Sequence, residues 1–192
     1  MKINYRNTLE INQQAEKIID GVNFKDYDST VFKNKSSRCV MSGQVPITRE
    51  FVGQEEESKY VVKEIEKIIK SDINYSEIAI ISRVNSYLTD IKETLNRLKI
   101  STIPLEEVNP ISKNNVYIGT MHSIKGFEFK VVFLVGMNED MVPYKYHLNK
   151  LEHSREIEDF KNKERSLLYV AMTRARDHLY ILSSKQKSKW IK

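Results

Sequence analysis

The chain reads Val116-Tyr-Ile-Gly-Thr-Met-His-Ser-Ile-Lys-Gly-Phe-Glu-Phe-Lys-Val-Val-Phe-Leu-Val-Gly136 across the stretch that decides its fold. The run from Val131 to Val135 is apolar throughout, which is typical of a strand buried on both faces of a parallel sheet. A shorter strand, 116–118, ends at Gly119-Thr120. Polar side chains just past such strand ends are where open α/β sheets usually bind ligands. The stretch therefore predicts an α/β fold with a ligand site beside Thr120.

The remaining strands and helices are predicted to extend this sheet. Residues 164–182 read Glu164-Arg-Ser-Leu-Leu-Tyr-Val-Ala-Met-Thr-Arg-Ala-Arg-Asp-His-Leu-Tyr-Ile-Leu182, which predicts a helix to residue 175 and a strand from residue 179. Residues 78–81 form an apolar run followed by a helical pattern, as in one βα unit of a doubly wound sheet. Further helices are predicted after Thr8, a plausible N-cap, and over residues 54–70.

Three segments resemble conserved motifs of the UvrD/Rep-type superfamily 1 DNA helicases. Thr120-Met-His-Ser-Ile-Lys-Gly-Phe-Glu-Phe129 resembles motif V, and Leu168-Tyr-Val-Ala-Met-Thr-Arg-Ala175 resembles motif VI. Asn4-Tyr-Arg-Asn-Thr8 resembles motif IV, which opens the second RecA-like (2A) domain of that family. The resemblance implies a RecA-like three-layer α/β sandwich with a mostly parallel central sheet. We predict a 2A domain over residues 1–184 and a solvated basic tail over residues 185–192.

The chain also resembles the compact branch of this family. Only residues 100–115 separate the βα unit from motif V, which leaves room for one short strand and a loop. The larger helicases carry an inserted 2B subdomain at this point. We therefore expect functions that depend on 2B to be missing here. The segment 138–143 resembles the family's loop after motif V, and its role is left open.

The resemblance implies a nucleotide site built from four residues. Arg174 would be the arginine finger that stabilises charge on the transferring phosphate, since a guanidinium matches phosphate geometry. Arg6 would reach the terminal phosphate of the same nucleotide. Glu128 would lie near the sugar and terminal phosphate, and Gly126 would allow the backbone to approach closely.

The same resemblance implies contacts with single-stranded DNA. Thr120 and His122 match residues that touch the phosphates of the strand, and a hydroxyl or an imidazole can do so without reading base sequence. Arg83 follows a strand end and matches a family arginine in the same setting, with a structural salt bridge as the alternative. Glu55, Glu56 and Glu57 receive no catalytic role, because a solvated acidic helix start explains them.

Composition sets wider limits on compartment and partners. The formal net charge of +5 permits a polyanionic partner without requiring one. Cys39 is the single cysteine, so an internal disulfide is impossible. Neither a signal peptide nor an apolar run of membrane-spanning length is present, and we expect a cytoplasmic protein with no membrane partner. The spacing of His147 and His153 matches no metal site, and we predict none.

The motifs in this sequence account for only part of a helicase motor. The 192 residues contain no Gly-x-x-x-x-Gly-Lys-Thr/Ser phosphate loop and no apolar run ending in paired acids for Mg²⁺. ATP and Mg²⁺ are therefore expected to bind mainly to an N-terminal RecA-like domain, and the isolated chain is expected to be inactive. The leading hypothesis is the C-terminal motor domain of an ATP-dependent DNA helicase, with a repair or transcription protein as a further partner. The alternatives are a helicase-like ATPase that remodels RNA polymerase and a non-catalytic module that binds nucleic acid or a partner.

Overall fold

The computed structural model describes residues 3–4, 6–20, 24–25, 31–32, 38–39, 41–107 and 114–192. The strands are β1 (Ile3–Asn4), β2 (Phe24–Lys25), β3 (Val31–Phe32), β4 (Arg38–Cys39), β5 (Ile47–Glu50), β6 (Ile78–Ser82), β7 (Ser101–Pro104), β8 (Asn115–Thr120), β9 (Phe129–Leu134) and β10 (Ala175–Ser183). The α-helices are α1 (Leu9–Ile19), α2 (Gln54–Ile68), α3 (Thr89–Arg97), α4 (Lys145–Leu148) and α5 (Ser154–Met172). A 3₁₀ turn at Asn85–Leu88 precedes α3.

Six strands form one sheet in the order β5-β10-β9-β6-β8-β7, and every neighbouring pair in it is parallel. The two short pairs, β1 with β4 and β2 with β3, lie outside this sheet. Because the six strands are parallel, all their carboxyl ends lie on one side. We call that side, where β6, β8 and β10 end at residues 82, 120 and 183, the carboxyl edge. The opposite side, where β9 and β10 begin, is the amino edge.

Helices cover both faces of the sheet and produce three layers. Along β9, Val132 and Leu134 pack in the core cluster that contains residues of α1 and α5. Val131 and Phe133 pack in the second cluster, with residues of α2 and α3. This alternation follows from the period of two in a strand, and it explains why the whole run is apolar. The predicted α/β, RecA-like three-layer class is confirmed, and the sheet is parallel throughout rather than mostly parallel.

The predicted elements are present, with differences in their ends. Thr8 caps α1 through its side-chain oxygen, which accepts a hydrogen bond from the Ile11 backbone N at 3.4 Å. Helix α5 begins ten residues earlier than predicted and ends at Met172, so Arg174 lies just beyond the helix. Leu98 continues the apolar spacing of α3 in the sequence, but it lies one residue beyond the end of that helix and is 48% exposed.

The prediction for the last eight residues also differs from the structure. Residues 185–192, predicted to be a solvated tail, pack on the domain: Ser188 is 0% and Ile191 2% exposed. The Ser188 backbone N donates to the Met137 carbonyl at 2.9 Å, which fixes this segment beside the end of β9. The boundary at residue 184 stays a prediction.

Among the described helices, none is long and apolar enough to cross a membrane.

The prediction that residues 55–57 form a solvated helix start is wrong for Glu57. Its side chain is completely buried, whereas Glu55 and Glu56 are exposed. Glu57 lies on the inward stripe of α2 that continues with Val61 and Ile65. The carboxylate accepts hydrogen bonds from the Gly136 backbone N and the Tyr87 hydroxyl.

Candidate functional site

The connection between β8 and β9 joins the two edges of the sheet. Strand β8 ends at Thr120 on the carboxyl edge, and β9 begins at Phe129 on the amino edge, with β6 between the two strands. Residues 121–128 therefore cross one face of the sheet, and Met121 and Ile124 within them are buried. As a result, the predicted DNA contacts and the predicted nucleotide contacts of motif V lie at opposite edges.

Arg6, Glu128 and Arg174 come together at the amino edge, and we call them the arginine cluster. Arg6 Nε forms a salt bridge with Glu128 Oε1, although both side chains are about half exposed. The backbone N of Phe129 donates to the Arg174 carbonyl at 3.0 Å, which fixes Glu128 beside Arg174. The Thr8 backbone N donates to the Arg176 carbonyl at 3.3 Å and holds the start of α1 at the same edge.

Two backbone carbonyls hold the guanidinium group of Arg174. Its Nε donates to the Val170 carbonyl at 3.2 Å, and its Nη1 donates to the Phe127 carbonyl at 3.4 Å. A guanidinium has five N–H donors, and these two bonds set its plane against the end of α5. Partial burial lowers the pKa of Arg174, the nearby charge of Arg6 lowers it further, and Glu128 opposes both effects. The cluster thus contains two guanidinium groups and one carboxylate, and this excess of positive charge is suited to an anion.

Gly126 lies in the same connection, two residues before Glu128. Its φ of +93° is in the region that side chains with a Cβ rarely adopt. A Cβ placed there would meet nothing within 4 Å, so the backbone conformation, rather than crowding, requires glycine. The open space around it is compatible with the predicted close approach of a nucleotide. That role stays a prediction.

Thr120 is held at the carboxyl edge by a short hydrogen-bonded turn. The Ser123 backbone N donates to Thr120 Oγ1 at 3.3 Å, and the Thr120 backbone N donates to Ser123 Oγ at 2.9 Å. A Cβ on Gly119 would lie 2.7 Å from Ser123 Oγ, so the turn also depends on that glycine. Ser123 was not identified from the sequence, although its position three residues after Thr120 is typical of such turns.

Arg83 forms a buried salt bridge with Glu164 of α5. Arg83 Nε lies 3.1 and 2.9 Å from the two carboxylate oxygens, and Nη2 lies 2.8 Å from Oε1. The Tyr144 backbone N also donates to this carboxylate, and the Tyr144 ring lies 5.1 Å from the Arg83 guanidinium carbon. The structural alternative considered for Arg83 is therefore present. A contact between Arg83 and DNA stays a prediction. The sequence did not identify Glu164 as the partner of Arg83.

His122 is exposed beside this salt bridge. Partial burial of the ring lowers the pKa of His122, the charge of Arg83 lowers it further, and Glu164 raises it. The imidazole is therefore biased towards its neutral form, which can still donate one hydrogen bond to a phosphate. Together with Thr120 it gives the carboxyl edge hydrogen-bonding groups that do not discriminate between bases.

These observations define a class of protein: a RecA-like α/β domain with two arginines and a glutamate clustered at one edge of the sheet and a hydroxyl and an imidazole at the other. Comparison with known proteins gives the family. The family model described as "UvrD-like helicase C-terminal domain" matches residues 1–109 and 103–186. The chain belongs to this family of UvrD-like helicase C-terminal domains.

Individual relatives agree with the family assignment. The chain is 43% identical over 74 residues to the ATP-dependent DNA helicase Rep of Buchnera aphidicola, covering 38% of this chain and 10% of that protein. It is 28% identical over 132 residues to the ATP-dependent DNA helicase PcrA of Bacillus subtilis, covering 69% of this chain and 16% of that protein. The chain thus spans a small part of the length of these relatives.

A solved structure has the same fold. It is described as the C-terminal domain of a possible DNA helicase from Lactobacillus plantarum WCFS1. The match has a TM-score of 0.66 at 17% sequence identity and covers 98% of this chain and 92% of that chain. At this identity the likeness supports the architecture of the domain.

Proposed function

We propose that this chain is the second RecA-like motor domain of an ATP-dependent DNA helicase or single-strand translocase. The observation that carries the proposal is the arginine cluster, in which Arg6 and Arg174, from opposite ends of the chain, lie beside Glu128 at one edge of the sheet. ATP and Mg²⁺ would be held mainly by an N-terminal RecA-like domain, as the relatives named as ATP-dependent helicases suggest. The cytoplasm and a repair or transcription partner remain part of this proposal.

The arginine cluster would act on the phosphate that is transferred from ATP. Catalysis of phosphoryl transfer depends mostly on positioning and on cations that stabilise charge on the transferring group. Arg174 supplies such a cation on a fixed base, since two backbone carbonyls hold its guanidinium. Arg6 would exchange its exposed salt bridge to Glu128 for the terminal phosphate, and a surface salt bridge of this kind costs little to break. Glu128 would then be available to the nucleotide sugar.

Single-stranded DNA would lie along the carboxyl edge. The supporting observations are the ordered Thr120 turn and the exposed imidazole of His122. Contacts of this type go to the phosphate backbone, so binding should be independent of base sequence and strongly dependent on salt. The buried Arg83–Glu164 pair lies beside these groups and would position them, with Arg83 as a further candidate contact.

Arg174→Ala and Arg174→Lys test the finger assignment in a full-length helicase that contains this domain. Arg174→Ala should lower kcat by roughly 10³- to 10⁵-fold while affinity for single-stranded DNA stays near the wild-type value. Arg174→Lys should restore little, because lysine lacks the planar fork. Arg176→Ala is the matched control, since Arg176 is exposed and paired with Asp177.

The measurements are kcat, DNA affinity and melting temperature on one preparation of each variant. A normal kcat in an Arg174→Ala protein of lower melting temperature would mean that Arg174 only braces the end of α5. The isolated 192-residue chain should show no appreciable ATP hydrolysis, because it lacks a phosphate loop. Turnover by the isolated chain that Arg174→Ala abolishes would contradict the proposal.

A further inference from the structure

A second polar cluster lies at the carboxyl edge, where β5, β6, β9 and β10 end, and it centres on Glu57. The Glu57 carboxylate is completely buried and accepts from the Gly136 backbone N at 2.9 Å and from the Tyr87 hydroxyl at 2.5 Å. The Tyr87 ring lies flat against Gly136, where an added Cβ would come within 2.6 Å of it. Burial raises the pKa of Glu57, and the two hydrogen bonds only partly oppose that effect.

The hydrogen bonds continue from Glu57 to Ser184, which is itself 3% exposed. The Tyr87 hydroxyl lies 2.6 Å from Ser184 Oγ. Asn138 holds Ser184 on both sides, because its Oδ1 accepts from the Ser184 backbone N at 2.9 Å and its Nδ2 lies 3.3 Å from Ser184 Oγ. A tyrosine hydroxyl carries one proton. When that proton is donated to ionised Glu57, the Ser184 hydroxyl must donate inward to Tyr87.

Protonation of Glu57 would reverse the direction of these hydrogen bonds. A neutral carboxyl has a proton to donate, and the Tyr87 oxygen is the acceptor beside it. Tyr87 would then donate to Ser184 Oγ. The Ser184 proton would turn outward, since the Asn138 group nearest its hydroxyl is the Nδ2 donor. The charge state of a buried carboxyl thus determines whether Ser184 presents a donor to the outside.

Ser184 opens into a cavity of about 260 Å³. Asn138, Asp140 and Lys185 also line it, so its wall carries an amide, a carboxylate, a hydroxyl and an ammonium group. The charged or titratable groups that face Glu57 and this cavity are Tyr87, Asp140 and Lys185. Lys185 Nζ lies 3.6 Å from Asp140 Oδ2, and both side chains are more than half exposed, so this pair is weak. Neighbouring Glu56 is not among the residues that line the cavity, and its carboxylate accepts from the Val52 backbone N.

We propose that this cavity is a phosphate subsite whose affinity rises when Glu57 takes up a proton. Protonation removes a negative charge beneath the cavity and turns the Ser184 hydroxyl into a donor, and both changes favour an anion. The ligand chemistry is a phosphate group, either from single-stranded DNA or free in solution. The first source rests on the proposed function, because it extends the nucleic-acid surface along the carboxyl edge from Thr120 towards Ser184.

Free phosphate is the first probe. Amide chemical shifts of residues 184 and 185 in the 192-residue chain are followed during titration with inorganic phosphate at a series of pH values from about 5 to about 8, because the pKa of Glu57 is raised above its ordinary value. Wild type should bind about three- to tenfold more tightly at the low end of the series, the change expected from one additional hydrogen bond. Phosphate itself is less charged at the low end of the series, so sulfate titrated at the same pH values is the control ligand. Sulfate should show the same gain.

Four variants identify the groups responsible. Glu57→Gln reproduces the hydrogen-bonding pattern of the neutral carboxyl, so at every pH it should bind as wild type does at the low end of the series. Glu56→Gln, the exposed neighbour, should keep the wild-type pH dependence. Ser184→Ala should lose the gain in anion affinity at low pH. Tyr87→Phe should reduce that gain, because it removes the hydroxyl that joins Glu57 to Ser184. Ser184→Ala also tests the proposal by itself if Glu57→Gln fails to fold, as judged by circular dichroism.

Binding of a labelled single-stranded oligonucleotide identifies the source of the phosphate. The affinity for this oligonucleotide is measured at the two ends of the pH series in a His122→Gln background, because His122 also gains charge at low pH. A pH dependence that Glu57→Gln removes supports a DNA phosphate in the cavity. Chemical-shift changes with the free anions but no binding of the oligonucleotide would support the phosphate subsite and contradict the proposed function. DNA binding without any Glu57-dependent change, for either probe, would overturn the subsite and leave the proposed function intact.

Discussion

The buried pair of Arg83 and Glu164 gives the sharpest quantitative prediction. The two side chains are 13% and 4% exposed, and three hydrogen-bond distances of 2.8 to 3.1 Å join them. Arg83→Met would leave the Glu164 carboxylate buried with the Tyr144 backbone N, at 3.2 Å, as its remaining partner. Removing one partner of a buried ion pair costs about 3–5 kcal/mol. For a chain of this size that corresponds to a fall in melting temperature of roughly 10 °C.

A second substitution separates loss of the pair from loss of packing. Arg83→Met combined with Glu164→Leu removes both charges, so most of the lost stability should return. Arg97→Met is the control, because Arg97 and its partner Glu93 are 75% and 60% exposed and the expected loss is below about 0.5 kcal/mol. Thermal unfolding followed by circular dichroism measures all three proteins, together with their affinity for single-stranded DNA. An unchanged melting temperature for Arg83→Met with much weaker DNA binding would refute the reasoning and make Arg83 a DNA contact.

Three further predictions concern single groups. Gly126→Ala should lower the free energy of unfolding by about 1–2 kcal/mol, since only its left-handed backbone opposes a Cβ. Gly136→Ala should lower it more, because the Cβ would also meet an aromatic ring at 2.6 Å. A larger loss for Gly126→Ala in thermal unfolding would contradict this reasoning. Because the pKa of Glu57 is raised on folding, its contribution to stability should be greatest below its ordinary pKa of 4.5 and should be lost as pH rises through the pKa of the folded state. The difference in stability between wild type and Glu57→Gln should follow this trend. The difference between wild type and Glu56→Gln should not. An NMR titration should place the pKa of His122 below its ordinary 6.5, and a value above 6.5 would show that its surroundings are misassigned.

The architecture of this domain was predictable because the pattern of apolar residues carries it. The run at 131–135 indicated a strand buried on both faces, and β9 lies in the middle of the sheet with helices on either side. The apolar stripe of α2 and the N-cap at Thr8 gave two helices with nearly correct ends. The start of α5 was missed, because its first three turns are charged and largely exposed.

Two buried acids could have been found in the sequence. Glu57 precedes Val61 and Ile65 at intervals of four residues, and Glu164 precedes Leu168 at the same interval. An acid on an apolar helical stripe indicates a buried carboxylate that needs partners. Those partners could not be predicted, because Gly136 and Arg83 are 79 and 81 residues away along the chain.

The distribution of the site between two edges also required the structure. The sequence places Thr120 and Glu128 eight residues apart, and a polar site at the strand's carboxyl end would hold both. The strand order shows instead that β8 and β9 are separated by β6, so the intervening residues must cross the sheet. Strand order depends on which chain segments pack together over long separations, and local patterns do not contain it.

Strand β10 extends this separation into a mechanical consequence. Its nine residues begin immediately after Arg174 and end immediately before Ser184. At about 3.3 Å per residue the strand is roughly 30 Å long, so a nucleotide and a nucleic-acid strand bound at the two edges could not touch. Strand β9 pairs with β10 from Ala175 to Ile181, with a register shift between Ala175 and His178, and β5 pairs with its last four residues. In the proposed motor domain, a small tilt of this strand at the arginine cluster would become a larger sideways displacement at its far end, where the nucleic acid would bind.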